Sequence, residues 1–426
     1  MSHRVIYHLR PVLLAAGLSA VAQPVLAALT LQQATEGALQ QDRWQQQNRA
    51  EEQALRHEAT AAAALPDPTM RLALANLPTD SFDIDQENMT QLQLGLSQVF
   101  PRGNSLQLQQ QRLQLMAGRN PLARMERRGQ IRKQVGQLWL DLYSSQAQIR
   151  LIERNRALFS QLVDVAEANY RAGVSRSSDL VRAELELTRL DDRISRLRQL
   201  RDSKRGQLAQ WLPLEQSRQL VSRHRPELDH HSVDFQRLPQ RLMAHPRVLL
   251  AEQQIDIARK QVELAEQAYK PAYKVDLGYG YRDDMPGGRE RADFFSAAVS
   301  FDLPLFTEKK QDPARNAARS RVEAAREARL LLLQQMRGQF ETLHAEQQRL
   351  GERQALFELK LLPQLAQRRE AALQSYSAGN GGFDEVMRAA ITELDTRLQQ
   401  IELQSAQQKN QLGLNYLLQT EAGDRD

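Results

Sequence analysis

Tyr170-Arg171-Ala172-Gly173 returns as Tyr376-Ser377-Ala378-Gly379, and Arg182-Ala183 returns as Arg388-Ala389, each 206 positions later (376 − 170 and 388 − 182). A period this long exceeds any solenoid unit, so the chain reads as two copies of a half-protein and not as an array of short repeats. Working outward, Leu65-Pro66 pairs with Lys270-Pro271, and Leu96-Ser97-Gln98-Val99 with Val299-Ser300-Phe301-Asp302-Leu303. The landmarks recur in one order. Each half reads helix, strand, strand, very long helix, tight turn, long helix.

The first residues carry Arg4 and Arg10, an apolar run over 12–22, and Val25-Leu26-Ala27 as a small-residue cleavage pattern. That layout predicts a secretory signal peptide over residues 1–27, because the apolar run is shorter than the ~20 residues a membrane-spanning helix requires. The predicted divisions after it are a first repeat at 28–212, a polar linker at 213–237, a second repeat at 238–418 and a polar tail at 419–426. With 0 cysteines there is no disulfide, thiol nucleophile, Cys-ligated zinc or lipidated N-terminal cysteine. The net charge of +5 is mild and both signs are interspersed, which predicts solvated helix surfaces and no nucleic-acid partner. A mean hydropathy of −0.58 does not argue against a membrane barrel. A barrel strand needs only ~10 residues of alternating polarity.

Four segments show that alternation. In residues 90–99, Leu92, Leu94 and Leu96 fall on one face and Gln91, Gln93, Gly95 and Ser97 on the other. Residues 273–282 set Tyr273, Val275, Leu277, Tyr279 and Tyr281 against Lys274, Asp276, Gly278, Gly280 and Arg282. The return strand puts Phe295, Ala297, Val299, Phe301 and Leu303 opposite Ser296, Ala298, Ser300 and Asp302, and residues 69–77 present Met70, Leu72 and Leu74. Period-two alternation means one wet and one apolar face. Helices charged over most of their circumference are poor cover for the apolar face, so lipid is its expected partner. Tyr279, Tyr281, Phe294 and Phe295 are expected to form an interfacial girdle. Four strands leave open edges that lipid cannot satisfy, and small closed barrels need about eight, so copies of the chain must share one barrel. The loops at 78–89 and 283–293 are rich in Pro, Gly and acidic residues. Asp80, Asp83, Asp85 and Glu87 make the first of them negative.

A three–four spacing runs through Ile131, Val135, Leu138, Leu142, Ser145, Ile149, Ile152, Arg156, Phe159, Val163, Ala166 and Tyr170, then through Leu180, Ala183, Leu187, Leu190, Ile194 and Leu197. This predicts two long antiparallel helices with a coiled-coil seam. The second half repeats it with Met336, Phe340, Leu343, Leu350, Phe357 and Leu361, and then Ile391, Leu394, Leu398 and Ile401. A helix from Ser105 to Ala172 would be roughly 100 Å long at 1.5 Å per residue, and Pro121 is expected to kink or break it. Helices this long with narrow apolar stripes must pack side by side as a wall.

These residues together resemble the TolC family of outer-membrane efflux proteins over essentially the whole mature chain. The motifs are the doubled YxAG turn followed by Asp179-Leu180 and Glu385-Val386, Leu65-Pro66-Asp67-Pro68, Leu94-Gly95-Leu96-Ser97-Gln98 leading to Phe100-Pro101-Arg102-Gly103, and Phe301-Asp302-Leu303-Pro304-Leu305-Phe306. The resemblance implies a mixed fold, with long α-helices forming a coiled-coil α-barrel and four strands per chain contributing to a twelve-stranded outer-membrane β-barrel in a homotrimer. It implies outer-membrane lipid, a periplasmic adaptor and an inner-membrane pump of the RND class as partners. LPDPTMRLALANLP and MTQLQLGLSQVFPRG look most like the branch serving heavy-metal pumps, the CzcC and CusC type. In the family the two helix turns, here Tyr170 to Gly173 and Tyr376 through Gly379 to Gly381, form the periplasmic tip. The match carries Asp179 to a position linked to Tyr376 and Glu385 to an inner acidic ring. The chain departs from the pattern at Gly381, where the best-known member has a linking arginine, and at Arg388, where it has a ring aspartate.

No catalytic or cofactor motif occurs, so neither an enzyme activity nor a cofactor is expected. His224, His230 and His231 with Asp229 and Asp234 could ligate a metal by residue type, but their spacing is unspecific, and Met70 and Met89 are expected to pack. Kept beside the metal-efflux duct are a drug-efflux or type I secretion duct of the same family and a soluble periplasmic coiled-coil scaffold.

Overall fold

In the computed structural model, which describes residues 28–173, 176–228 and 236–419, long helices carry a single small sheet. The predicted signal peptide, His230, His231, Asp229 and Asp234 lie outside the described residues. The first half comprises α1 (Leu31–Gln41), α2 (Arg43–Ala62), β1 (Thr69–Ala75), β2 (Gln91–Phe100), α3 (Ser105–Arg171) and α4 (Ser177–Leu208), followed by the short α5 (Leu214–Arg218). The second half comprises α6 (Leu238–Met243), α7 (Pro246–Gln267), β3 (Tyr273–Tyr281), β4 (Phe294–Phe301), α8 (Gln311–Leu356), α9 (Leu362–Ser377) and α10 (Phe383–Leu417).

α3 is one unbroken helix of 67 residues, about 100 Å long. The expected break at Pro121 does not occur, and the residue before it supplies the reason. Pro121 cannot donate to the carbonyl of Ala117. The Asn120 side chain donates to that carbonyl instead, at 3.3 Å, while its Oδ1 accepts from the buried Asn48 of α2 at 2.6 Å. Arg124 completes the patch by donating to Asn48 Oδ1 at 2.8 Å and pairing with Glu52 at 2.8 Å. In the second half the corresponding helix is interrupted. Residues Phe357–Leu361 form a π-turn in which the Leu362 amide donates to the Phe357 carbonyl, and Pro363 follows directly in the first turn of α9. The wider turn absorbs the proline's missing donor, so the two halves are not equivalent along their length.

The seam residues are where their spacing puts them. Ile149, Ile152, Phe159, Leu162 and Ala166 of α3 close on Ala183, Leu190 and Ile194 of α4 and on Phe383, Val386, Met387, Leu394 and Leu398 of α10. A second core, higher on α3, gathers Ile131, Val135, Trp139, Leu140 and Leu142 against α1 and Leu208, and Trp139 Nε1 donates to the Leu29 carbonyl at 2.9 Å. A third joins α6, α7, α8 and α10 through Leu238, Leu242, Val248, Met336, Phe340 and Leu414.

The four strands form one antiparallel sheet in the order β1-β2-β3-β4, so the halves meet through β2 and β3. The register stacks Leu72, Leu94, Tyr279 and Phe295 in one row and Met70, Leu96, Leu277 and Ala297 in the next. Met70, Leu72 and Phe295 expose 74%, 70% and 72% of their surface, so no described residue covers this face. Phe294 departs from the expected girdle. It sits opposite Gly280 on the polar face, 3.9 Å beneath the Arg282 guanidinium, because adjacent strand residues point to opposite sides.

Candidate functional site

Two places gather the candidate residues: the helix turns and the sheet. Each turn starts from a helix C-terminus whose last carbonyls need partners. α3 ends with the Ala172 amide donating to the Ala168 carbonyl and Gly173 at φ +72°; α9 ends with the Gly379 amide donating to Tyr376 and Gly379 at φ +76°. Both glycines take the left-handed conformation that other residues adopt only with strain. The turns then diverge. The Gly381 amide donates to the Ser375 carbonyl at 3.0 Å, and a Cβ on Gly381 would stand 3.0 Å from the Tyr376 backbone nitrogen. A side chain at this position, such as the arginine of the family pattern, would require the turn around Ser375 and Tyr376 to shift. Val174 and Ser175 of the first turn lie outside the described residues.

The tip residues do not all meet. The Tyr376 hydroxyl accepts from Asn169 of α3 at 2.6 Å, and its ring packs edge-on to Phe383 with centroids 6.0 Å apart. The expected link from Asp179 to Tyr376 is absent within the chain. Asp179 is half-exposed in the first turn of α4, where its charge complements the helix dipole. Glu385 occupies the equivalent place in α10, exposed and without an ion pair among the described residues. Tyr170 is exposed at the end of α3.

The carboxylate that does connect the turns is Asp384. One oxygen pairs with Arg182 of α4 and the other with Arg388 of α10, and these two arginines are the repeat anchors related by 206 positions. In the first half the position equivalent to Asp384 is Ser178. The substitution of one acidic residue between the copies thus makes the contact between them. Eleven residues on, three helical turns away, Arg193 pairs with Asp395 at 2.5 Å and forms a second rung between α4 and α10. All four of these side chains are at least 30% exposed. Each rung is therefore worth only about 0.2–1 kcal/mol. Sequence reading passed over Asp384; the signal was the difference between Ser178 and Asp384 at repeat-related positions.

In the sheet, the apolar rows oppose a wet face bearing Arg71, Gln93, Ser97, Lys274 and Asp276. β1 and β4 are free edges within the chain. Among the described residues no helix is long and apolar enough to cross a membrane, and no group of three or more His, Cys, Asp and Glu side chains could hold a metal ion.

No family model matches the chain, and no curated protein matches it in sequence. Solved structures do match. CusC, in structures described as following conformational changes that accompany folding and transmembrane channel formation, superposes with a TM-score of 0.71 at 15% identity over 92% of both chains. The chain has the fold of these channels. The outer membrane protein VceC from Vibrio cholerae gives a TM-score of 0.74 at 15% identity, over 92% of this chain and 96% of that one. The outer membrane channel CmeC of Campylobacter jejuni gives 0.75 at 10% identity, over 91% of this chain and 85% of that one. The TolC-like fold expected from the doubled turns is the fold observed.

Proposed function

We propose that the protein is an outer-membrane exit duct, assembled from three copies and fed by an inner-membrane pump through a periplasmic adaptor. The observation that carries this is a sheet with one largely apolar exposed face, interrupted by Gln98, and two edges unpaired within the chain. In hydrocarbon each unpaired backbone group costs several kcal/mol, so a four-stranded sheet is untenable alone and must close with other copies. Three copies supply twelve strands, and the wet faces then line a water-filled lumen. The helices favour the same closure. Val181 and Leu185 on α4, and Leu359 in the π-turn at 77% exposure, are apolar side chains that no described residue covers. Neighbouring copies would cover them.

The likeness to channels of known structure supports an efflux role, and the motif LPDPTMRLALANLP supports metal cations as cargo, with organic compounds as the alternative. On this reading the two turns form the periplasmic tip. Asp179 and Glu385, each three residues into its helix, supply rings of carboxylates that repel one another and attract cations. The test is extraction and conductance: the protein should require detergent, run as a trimer and insert into planar bilayers in discrete conductance steps. A detergent-free, water-soluble monomer would refute the duct and favour the periplasmic scaffold.

A further inference from the structure

On the wet face of the sheet the strand charges nearly cancel. Lys274 Nζ lies 2.8 Å from Asp276 Oδ1, which also accepts from the Ser97 hydroxyl at 2.5 Å. At one margin Arg102 is paired with Asp302. At the other, the backbone amide of Arg282 donates to Asp293, while the Arg282 side chain lies over Phe294. Arg71 differs. It lies mid-strand in β1, exposed, and has no ion-pair partner among the described residues.

The register explains how an arginine fits there. Arg71 sits opposite Gly95, which sits opposite Gly278, so the next two strands on the β2 side of β1 carry no side chain in its row, while its other side is the free edge of the sheet. A Cβ built on Gly95 would touch only the Arg71 Cβ and backbone, at 3.7 Å and beyond. The guanidinium therefore has an open arc over β2 and β3, and no described residue of the chain forms an ion pair with it; Asp276 on the same face is already paired with Lys274.

We infer that Arg71 from three copies forms a cationic ring midway down the barrel that shifts the charge selectivity of the lumen towards anions. The inference rests on the trimeric duct proposed above. Strands about 4.8 Å apart and tilted about 40° give a twelve-stranded wall of about 12 Å radius, which holds each guanidinium within about 10 Å of the axis. Three such charges, acting through water and screened at physiological ionic strength, enrich an anion and deplete a monovalent cation by a factor of about 1.8 each. The anion-to-cation permeability ratio is then raised by about threefold, and a bare divalent cation is held back more strongly than a monovalent one. Cargo would cross this ring most readily as a neutral or anionic species, and a metal as a complex with anionic ligands. The acidic loop carrying Asp80, Asp83, Asp85 and Glu87 acts on the same current with opposite sign. The informative quantity is thus the change at Arg71.

The experiment is the reversal potential of the purified trimer in planar bilayers under a potassium chloride gradient. Arg71→Gln should lower the chloride-to-potassium permeability ratio about threefold, Arg71→Glu should lower it further, and Arg71→Lys should leave it near the wild-type value. Conductance steps with the same ratio in wild type and Arg71→Gln would overturn the ring while leaving the duct standing. Absence of conductance steps in every variant would overturn the duct and the ring together.

Discussion

Acidification should weaken the packing of α7 against α3 and α10, and the group responsible is His245. Its ring is fully buried and caps α7, with Nδ1 accepting from the Arg247 amide at 3.2 Å and Nε2 donating to the Tyr416 carbonyl at 3.1 Å. Both ring nitrogens are thus satisfied by the neutral tautomer. Burial pushes the imidazole down from 6.5 to about 4, opposed only weakly by the Tyr416 carbonyl. Glu126 Oε2 stands 4.0 Å from Nδ1 and accepts from Gln419 at 3.4 Å, while Oε1 accepts from the Tyr416 hydroxyl and from Gln130 at 2.8 Å. Burial of the imidazolium outweighs it. The unfolded chain therefore takes up a proton near 6.5 while the folded chain refuses it until about 4. The stabilisation is complete above 6.5 and is lost progressively as pH falls towards 4. At about 1.4 kcal/mol for each tenfold difference, the loss amounts to about 3 kcal/mol.

His245→Asn is the informative comparison, because asparagine keeps a capping acceptor but cannot titrate. The assay is the guanidinium unfolding midpoint by tryptophan fluorescence, from pH 7 to pH 4, for both proteins. The variant should be less stable at neutral pH, having lost the bond to Tyr416, and should close that gap as pH falls. Parallel profiles would refute the assignment.

Four further outcomes are expected. Asp384→Ala removes the carboxylate shared by Arg182 and Arg388; it should raise single-channel conductance in planar bilayers while costing only about 1 kcal/mol of stability. Asp179→Ala and Glu385→Ala should also raise conductance, and unchanged conductance and cation preference would remove both from the constriction. Asn120→Ala leaves the Ala117 carbonyl and the Asn48 amide unsatisfied and should destabilise by about 1–3 kcal/mol; adding Pro121→Ala should recover part of the loss in thermal unfolding by restoring a backbone donor. Gly381→Ala should destabilise the second turn by about 1 kcal/mol, measured as faster proteolysis at residues 378–382, because the new Cβ stands 3.0 Å from the Tyr376 backbone nitrogen and 2.8 Å from Ser375 Oγ and the turn must shift to admit it.

The legible parts of this protein were those set by local spacing. The doubled YxAG turns, the period-two strands and the three–four seams each depend on residues within a few positions of one another, and all three patterns reappear in the structure. Pro121 shows the limit of that reading. Its effect on α3 turned on Asn120 and on Asn48, which comes from a different helix. The tip shows it again. The resemblance expects Asp179 to be linked to Tyr376, whereas within the described residues the Tyr376 hydroxyl accepts from Asn169 and Asp384 pairs with Arg182 of the other half.

The sequence by itself determined that the chain is a duplication, which segments are helix and which strand, and which strand face is apolar. It did so because helical and pleated periods are written into consecutive side chains. Only the tertiary structure decided that β2 pairs with β3 across the two halves, that Gly95 and Gly278 clear a path beside Arg71, and that one carboxylate bridges two arginines 206 positions apart. Those outcomes depend on the register and rotation of elements far apart in the chain, which no local period encodes.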